Sequence, residues 1–327
     1  MQKISSKNKF VPPHPLKTAV LFLVFNRPDT TKQVFGAIRK AKPPRLYVAA
    51  DGPRDDKSGE REKCGEVRRI ATQVDWDCEV KTLFRDKNLG CKYGVSGGID
   101  WFFENEEEGI ILEDDCLPSQ SFFWFCEELL ERYRGDKRIL MISGDNFQFG
   151  KRRTNDSYYF SQYTHIWGWA SWRRAWRYFD KDMENWPLIR DNGYLFDILQ
   201  NKRAAKYWAQ IFETVYRGKI DTWDYPWTFS CWIQNGLTVL PNVNLVSNIG
   251  FDGDATHTTS KDNANSKIPV FNLSFPLKHP NWMIRDDVAD RWTDLNVVGT
   301  SIPIAKRILR KIWTLARRSI SLCRPSR

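Results

Sequence analysis

Residues 18–40, "TAVLFLVFNRPDTTKQVFGAIRK", change their period halfway along. From Ala19 to Phe25 every residue is apolar. An unbroken apolar run of that length reads as a strand covered on both faces, as in parallel sheets. From Pro28 onward the apolar residues recur at helical spacing, with Val34 and Ile38 on one face and Asp29 or Thr30 as the expected N-cap. One buried strand therefore runs straight into one amphipathic helix.

The alternation continues. "RLYVAAD" (45–51) reads as a strand, "GPR" as a turn and "EKCGEVRRIATQV" (62–74) as a helix. "EVKTLFRD" (79–86) is a third strand, "YGVSGGIDWFFEN" (93–105) a third helix and "GIILEDD" (109–115) a fourth strand. "ENEEE" (104–108) reads as a solvated helix end, and the glycines of "NLGCKYGVSGG" as helix-start flexibility or as backbone approaching a phosphate. Strand and helix repeated in this order predict a right-handed α/β sheet of Rossmann type, mainly parallel, with helices on both faces.

In such sheets ligands sit beyond the carboxyl ends of the strands. Those ends are Asn26-Arg27, Asp51, Arg85 and Glu113-Asp114-Asp115. An amide and an acid suit a base or ribose, a cation suits phosphate, and carboxylates suit a metal. Mg²⁺ in particular is held by one or two carboxylates plus substrate phosphates. Strand alternation would put Glu113 and Asp115 on one face and Asp114 on the other. The plain alternative is an acidic turn leading into the helix of "PSQSFFWFCEELLERY" (118–133). Neither G-x-G-x-x-G nor G-x-x-x-x-G-K-[ST] occurs, which excludes the dinucleotide fingerprint and the P-loop.

The bulk numbers narrow the class. With 327 residues, 41% of them apolar, the chain can bury one large core or two small ones. Aromatics reach 14%, with fifteen Trp, a composition that builds cores and also lines sugar clefts. Seven Cys without a C-x-x-C pair fit a reduced compartment and no zinc site. The N-terminus lacks an apolar stretch of signal-peptide type, and "AVLFLVF" is too short to span a bilayer. A cytoplasmic location is expected. Eight of the ten net positive charges lie in residues 301–327, so the body is nearly neutral and a nucleic-acid partner is not expected. In that tail Ile304, Ile308, Ile312 and Ala316 recur every fourth residue among cations. A basic amphipathic helix on an anionic membrane surface is expected, with docking on the body or on a partner as the alternative.

The segment "ILEDDCLPSQSFFWFCEELLERYRGDKRILMISGDN" resembles the metal-binding region of N-acetylglucosaminyltransferase I and related GT-A-fold glycosyltransferases. The likeness runs over residues 18–260, with "LFLVFNRPDTT" and "VAADGPR" upstream as nucleotide-contacting strand ends. Downstream, "THIWGWASWRRAW" is similar to a site-lining Gly-x-Gly-Trp loop. "DTWDYPWTFSCW" is similar to a Trp-Asp-Asp-Trp segment carrying the base, and "LPNVNLVSNIGFDGDATHT" to the closing strand and loop. The resemblance implies a metal-dependent, inverting transfer from a UDP-sugar to a glycan or lipid-linked acceptor, in surface polysaccharide or glycoconjugate assembly. It implies Asp51 on the uracil, Arg85 with Asn26 and Arg27 on the nucleotide, Glu113 and Asp114 on sugar and ribose, and Asp115 on Mn²⁺ or Mg²⁺. The implied organisation is a polar extension (1–17), a catalytic domain (18–285, its nucleotide-sugar half 18–116 and acceptor half 117–285) and a C-terminal segment (286–327).

The chain departs from the pattern twice. Trp223-Asp224-Tyr225-Pro226-Trp227 has one acid, which leaves Asp224 as the base, or else as a helix N-cap before Pro226. "HIWGW" has only Gly168, so Trp167 and Trp169 either stack on sugar faces or flank a turn in the core. His257 reads as a residue closing the metal or diphosphate site, or as one satisfied within its loop. Two other classes compete: a sugar-nucleotide pyrophosphorylase, which needs a Gly-rich, Arg-containing loop after the first strand, and a non-catalytic membrane-binding protein.

Overall fold

The structure is a computed structural model and describes residues 10–250 and 268–298. Strand β1 (Val20–Val24) is buried along its whole length. Helix α1 (Pro28–Ala41) follows after only three residues, with Arg27 at the N-cap position rather than Asp29 or Thr30. Pro28 sets that start, since proline lacks the N–H that a first-turn residue would leave unbonded. Val34, Phe35, Ile38 and Ala41 bury one face of α1, as their spacing predicts. Strand β2 (Arg45–Ala50), helix α2 (Glu60–Ala71), strand β3 (Glu79–Phe84), helix α3 (Gly90–Asn105) and strand β4 (Glu108–Glu113) then come in the expected order.

These four strands are parallel and lie in the order β3-β2-β1-β4. The chain winds outward from β1 to β3, then returns to the other side of β1. Connections that leave two neighbouring strands in opposite directions open a crevice at their carboxyl ends. The register sets Glu113 beside Leu23, and Leu23 beside Ala49, at that crevice.

The second half extends the same sheet. Its elements are β5 (Cys116–Pro118), α4 (Gln120–Arg132), β6 (Ile139–Ser143), β7 (Tyr158–Ser161), β8 (Trp169–Trp172) and α5 (Arg173–Trp176). They continue with α6 (Trp186–Asp191), α7 (Tyr194–Leu199), α8 (Lys202–Tyr216), α9 (Asp224–Ile233), β9 (Leu237–Pro241), β10 (Val246–Asn248) and α10 (Asp287–Thr293). The eight-stranded order is β3-β2-β1-β4-β8-β6-β9-β7, with β8 and β7 antiparallel to their neighbours. The fold is a mixed, mainly parallel, Rossmann-like α/β sheet. A ribbon of β5 and β10 crosses beside the end of β4.

One apolar cluster runs from Leu16 to Leu277, and a second forms where α6 to α9 meet around Trp186, Trp208, Phe212, Phe229 and Trp232. Six tryptophans are among the largest fully buried side chains. Much of the tryptophan content is therefore core. The acidic run 104–108 also departs from a solvated helix end. Glu106 accepts hydrogen bonds from Arg45 Nε at 2.6 Å and Tyr47 Oη at 2.9 Å, and Glu108 already belongs to β4. Among the described residues no helix is long and apolar enough to cross a membrane. His257 and the basic tail, 301–327, lie outside the described residues.

Candidate active site

A cavity of about 320 Å³ opens where the winding reverses, at the carboxyl ends of β1, β2 and β4 and beside the start of α3. That size is at the lower end for small-molecule sites, roughly 300–1,000 Å³. Arg27, Asp51, Glu113 and Asp114 line it together, so four of the expected nucleotide-sugar residues meet in one place. Arg54, Asn88, Cys91 and Asp221 line it as well.

The triplet does not keep strand alternation. β4 ends at Glu113, and Asp114 and Asp115 form a turn into β5. Both aspartates consequently turn toward Arg27, whose Nη1 lies 2.7 Å from Asp115 Oδ2 and 3.9 Å from Asp114 Oδ1. Asp114 Oδ2 also accepts from the Phe25 amide at 3.1 Å, which ties the end of β1 to the turn. Burial pushes the Glu113 carboxyl well above the usual range, and Asp115 and Asp114 add to the effect. Burial raises Asp114 too, with Arg27 opposing and Asp115 reinforcing. Asp114 and Asp115 thus share one guanidinium, and burial favours the protonated form of Glu113 beside them.

Asp51 is held by its neighbour Gly52 and by the segment that leads into α3. Its oxygens accept from the Gly52 amide at 2.9 Å and from the Leu89 amide and Asn88 Nδ2 at 3.0 Å. Burial nevertheless raises its pKa. α3 packs close against it, because a Cβ on Gly94 would stand 2.9 Å from Asp51 Oδ2. Asn26 is not among the lining residues, and its Nδ2 donates to Glu60 Oε1 at 2.8 Å. Burial alone would raise the Glu60 carboxyl, yet hydrogen bonds from the Arg54 side chain and amide and from Asn26 outweigh it and hold the group at about 2. The anchored Arg54 guanidinium lies 5.5 Å over the Phe25 ring, at the cavity wall. Arg85 stands outside the lining, with its guanidinium over Gly97 and its charge acting on Asp51.

Asp224, which is not among the lining residues, is the first residue of α9, half-buried, and accepts a hydrogen bond from the Thr222 hydroxyl. Its charge raises the pKa of both Glu113 and Cys91, two lining residues. Asp221, three residues earlier, caps α3: its carboxylate accepts from the Cys91 amide at 2.8 Å and the Lys92 amide at 3.0 Å. The first amides of α3 are therefore satisfied within the protein. Gly90 takes a positive φ of 80°, and a Cβ there would collide with Asp221.

The "HIWGW" loop resolves differently. Trp169 lies in β8, 1% exposed and stacked on Trp223 at 5.7 Å, so its ring has no face free for a sugar. Gly168 has a φ of 69°, and a Cβ on it would come within 2.8 Å of Val246 and 3.1 Å of Leu112. Glycine is needed there for the turn and for packing beneath β4. Trp167 is half-buried, edge-on to Phe147 at 5.0 Å.

Sequence reading missed Arg54, Asn88, Cys91 and Asp221. The first sits in the "GPR" turn directly after Asp51, and the last opens the "DTWDYPW" stretch. Among the described residues no three His, Cys, Asp or Glu side chains converge as a ready-made metal cage. The triplet is an all-oxygen donor set.

No family model matches the chain, and no curated protein matches it. Among solved structures, HddC from Yersinia pseudotuberculosis is 7% identical, with 48% of this chain and 77% of that one covered and a TM-score of 0.30. A UDP-glucose pyrophosphorylase complexed with UDP-glucose is 10% identical, with 45% and 62% covered and a TM-score of 0.26. An apo UDP-glucose pyrophosphorylase is 7% identical, with 71% and 93% covered and a TM-score of 0.36. The fold assignment rests on the strand order and register of this chain.

Proposed function

We propose that this protein is a metal-assisted glycosyltransferase of GT-A type. It moves a sugar from a UDP-sugar to a glycan or lipid-linked acceptor, with inversion. The observation that carries the reading is the single cavity that gathers Arg27, Asp51, Glu113 and Asp114, with the charge of Asp224 bearing on it from α9.

In this reading Asp51 and Arg54 hold the nucleoside end, and Glu113 and Asp114 accept hydrogen bonds from sugar and ribose hydroxyls. A hydroxyl is a poor nucleophile, so Asp224 takes the acceptor proton as the hydroxyl attacks the anomeric carbon. Asp115 would hold Mn²⁺ or Mg²⁺, which stabilises the charge that grows on the departing diphosphate. His257, outside the described residues, is proposed as a further residue of the metal or diphosphate site. The basic segment 301–327 is proposed to keep the enzyme at the inner face of the cytoplasmic membrane, where such acceptors are presented.

The pyrophosphorylase alternative is disfavoured by local geometry. Only Phe25, Asn26 and Arg27 separate β1 from α1, which leaves no room for a Gly-rich loop there. The test is incubation with a panel of UDP-sugars, Mn²⁺ and lipid-linked or glycan acceptors. Release of UDP with label in the acceptor is expected. Exchange of label into UTP with pyrophosphate, and no UDP release, would replace this reading with the pyrophosphorylase.

A further inference from the structure

Beside the edge strand β7 lies a surface that the cavity does not use. The chain meets that strand through a bridge between Phe160 and Arg285. Around Arg285 it is extended, so alternate residues face opposite ways. Met283 packs on the main core and Arg285 pairs with Asp290 at 3.0 Å, which leaves Trp282 75% and Ile284 71% exposed. Helix α10 then turns Ala289, Asp290 and Thr293 to the body and leaves Val288 59% exposed. Loop 147–153 is fastened to the flank of α10. Gln148 donates to the Ala289 carbonyl at 3.2 Å, Arg153 Nε lies 2.9 Å from Asp286, and the Lys151 ammonium sits 3.2 Å over the Trp292 ring. Out of this loop stands Phe149, 42% exposed, at a φ of 48° that a bulky residue rarely adopts.

The charges on this side are unequal. Asp286 and Asp287 are paired with arginines, and Asp290 and Asp294 are buried. Lys151 and Arg152 are exposed, and among the described residues neither pairs with a carboxylate. The described chain ends at Val298, and residues 301–327 just beyond it hold eight cations and no acid. Apolar side chains among unpaired cations therefore stand on both sides of that point.

We propose, resting on the membrane part of the reading given above, that Phe149, Trp282, Ile284 and Val288 with Lys151 and Arg152 form a second contact with an anionic lipid surface, built into the body and continuous with 301–327. Tryptophan suits such a place, because its amphipathic ring sits at the level of the headgroups. The two cations act on anionic headgroups only within about a Debye length, and the loop's fastening to α10 keeps them beside the apolar residues. A nucleic acid would satisfy the cations but leave Ile284 and Val288 in water. The contact is too small to hold the protein alone. It adds to the basic segment and fixes which side of the body faces the lipid.

The experiment is partition of the full chain onto sedimenting vesicles of phosphatidylglycerol and phosphatidylcholine at low salt. Trp282→Ser with Ile284→Ser should weaken partition about tenfold or more. Lys151→Glu with Arg152→Glu should do the same, and that loss should shrink at high salt. Arg61→Glu with Lys63→Glu changes the net charge equally on α2, at the opposite edge of the sheet, and should weaken partition less than about threefold. The two surface pairs alter exposed side chains at separate places, so either one decides if the other fails to fold by circular dichroism. Unchanged partition in the folded surface variants, or a control pair as damaging as the pair at 151 and 152, would overturn this contact and leave 301–327 as the anchor. A full chain that does not partition at all would overturn the membrane part of the reading and this contact together, while the transferase reading stands.

Discussion

Asp221 and Asp224 are three residues apart and have different tasks. The carboxylate of Asp221 is engaged by the Cys91 and Lys92 amides at the start of α3, while Asp224 does not line the cavity but its charge acts on two residues that do, Glu113 and Cys91. Asp224→Asn should therefore lower turnover by about 10²–10⁴-fold with UDP affinity unchanged, the usual size of a general-base contribution. Steady-state kinetics beside calorimetry would check it, and normal turnover would place the base elsewhere.

Asp145 offers a second residue-scale test. Burial pushes its carboxyl up to about 7, and burial takes the neighbouring His165 down to about 3. Their 3.8 Å approach has the geometry of a loose ion pair, but burial favours the neutral form of both side chains. The Ser143 hydroxyl has one proton and lies against both Asp145 Oδ1 and the His165 carbonyl, which a protonated Asp145 satisfies as donor. The folded protein thus holds a proton that the unfolded chain releases near pH 4. That contribution is complete below about pH 4 and is lost as pH rises through about 7. Asp145→Asn should flatten the fall in stability between about pH 4 and 7 by about a few kcal/mol, on the order of the shift. Urea denaturation at both pH values measures it, and an unchanged slope would assign it to other buried acids such as Asp290, also raised to about 7 by burial.

At the scale of elements, α3 decides the shape of the cavity. Its glycines read equally as flexibility or phosphate approach, and the structure uses Gly94 and Gly98 for close packing instead. A Cβ on Gly98 would stand 2.8 Å from Leu23 Cδ2 and 3.1 Å from the Ala49 Cβ, both on strands that end at the cavity. Gly98→Ala should destabilise by about 1–3 kcal/mol, the cost of overpacking. Gly36→Ala, in the middle of α1 with nothing within 4 Å of the new Cβ, should instead stabilise by up to about 1 kcal/mol. Thermal melts of the pair give opposite signs if α3 is seated as described. The strands and helices of the first half were legible because each kept a single period over its whole length. The turn at Asp114-Asp115 was not, since β4 gives no sequence signal that alternation stops at Glu113 rather than two residues later.

For the whole molecule, charge is segregated: eight cations and no acid lie in residues 301–327, and the rest is nearly neutral. Each Lys or Arg near an anionic bilayer contributes about 1 kcal/mol, screened by salt. The full chain should float with anionic liposomes at low salt, and a chain ending at Ser301 should stay behind. Equal behaviour of the two would remove the membrane from this account.

Local pattern was enough for the α/β alternation, the strand ends and the acidic triplet, because burial on both faces and helical periodicity are written in consecutive residues. It also placed Arg27, Asp51, Glu113 and Asp114 at one edge, since parallel strands carry their carboxyl ends to the same side. What only tertiary packing decided is which of those residues are already engaged. Asn26 is held by Glu60, which lies 34 positions away, and Asp115 by Arg27, 88 positions away. Trp169 was drawn into the core by Trp223, from another element. Asp221 reaches α3 across 130 residues of chain. Such pairings depend on where turns and helix starts bring distant segments together, and neither period nor composition records that.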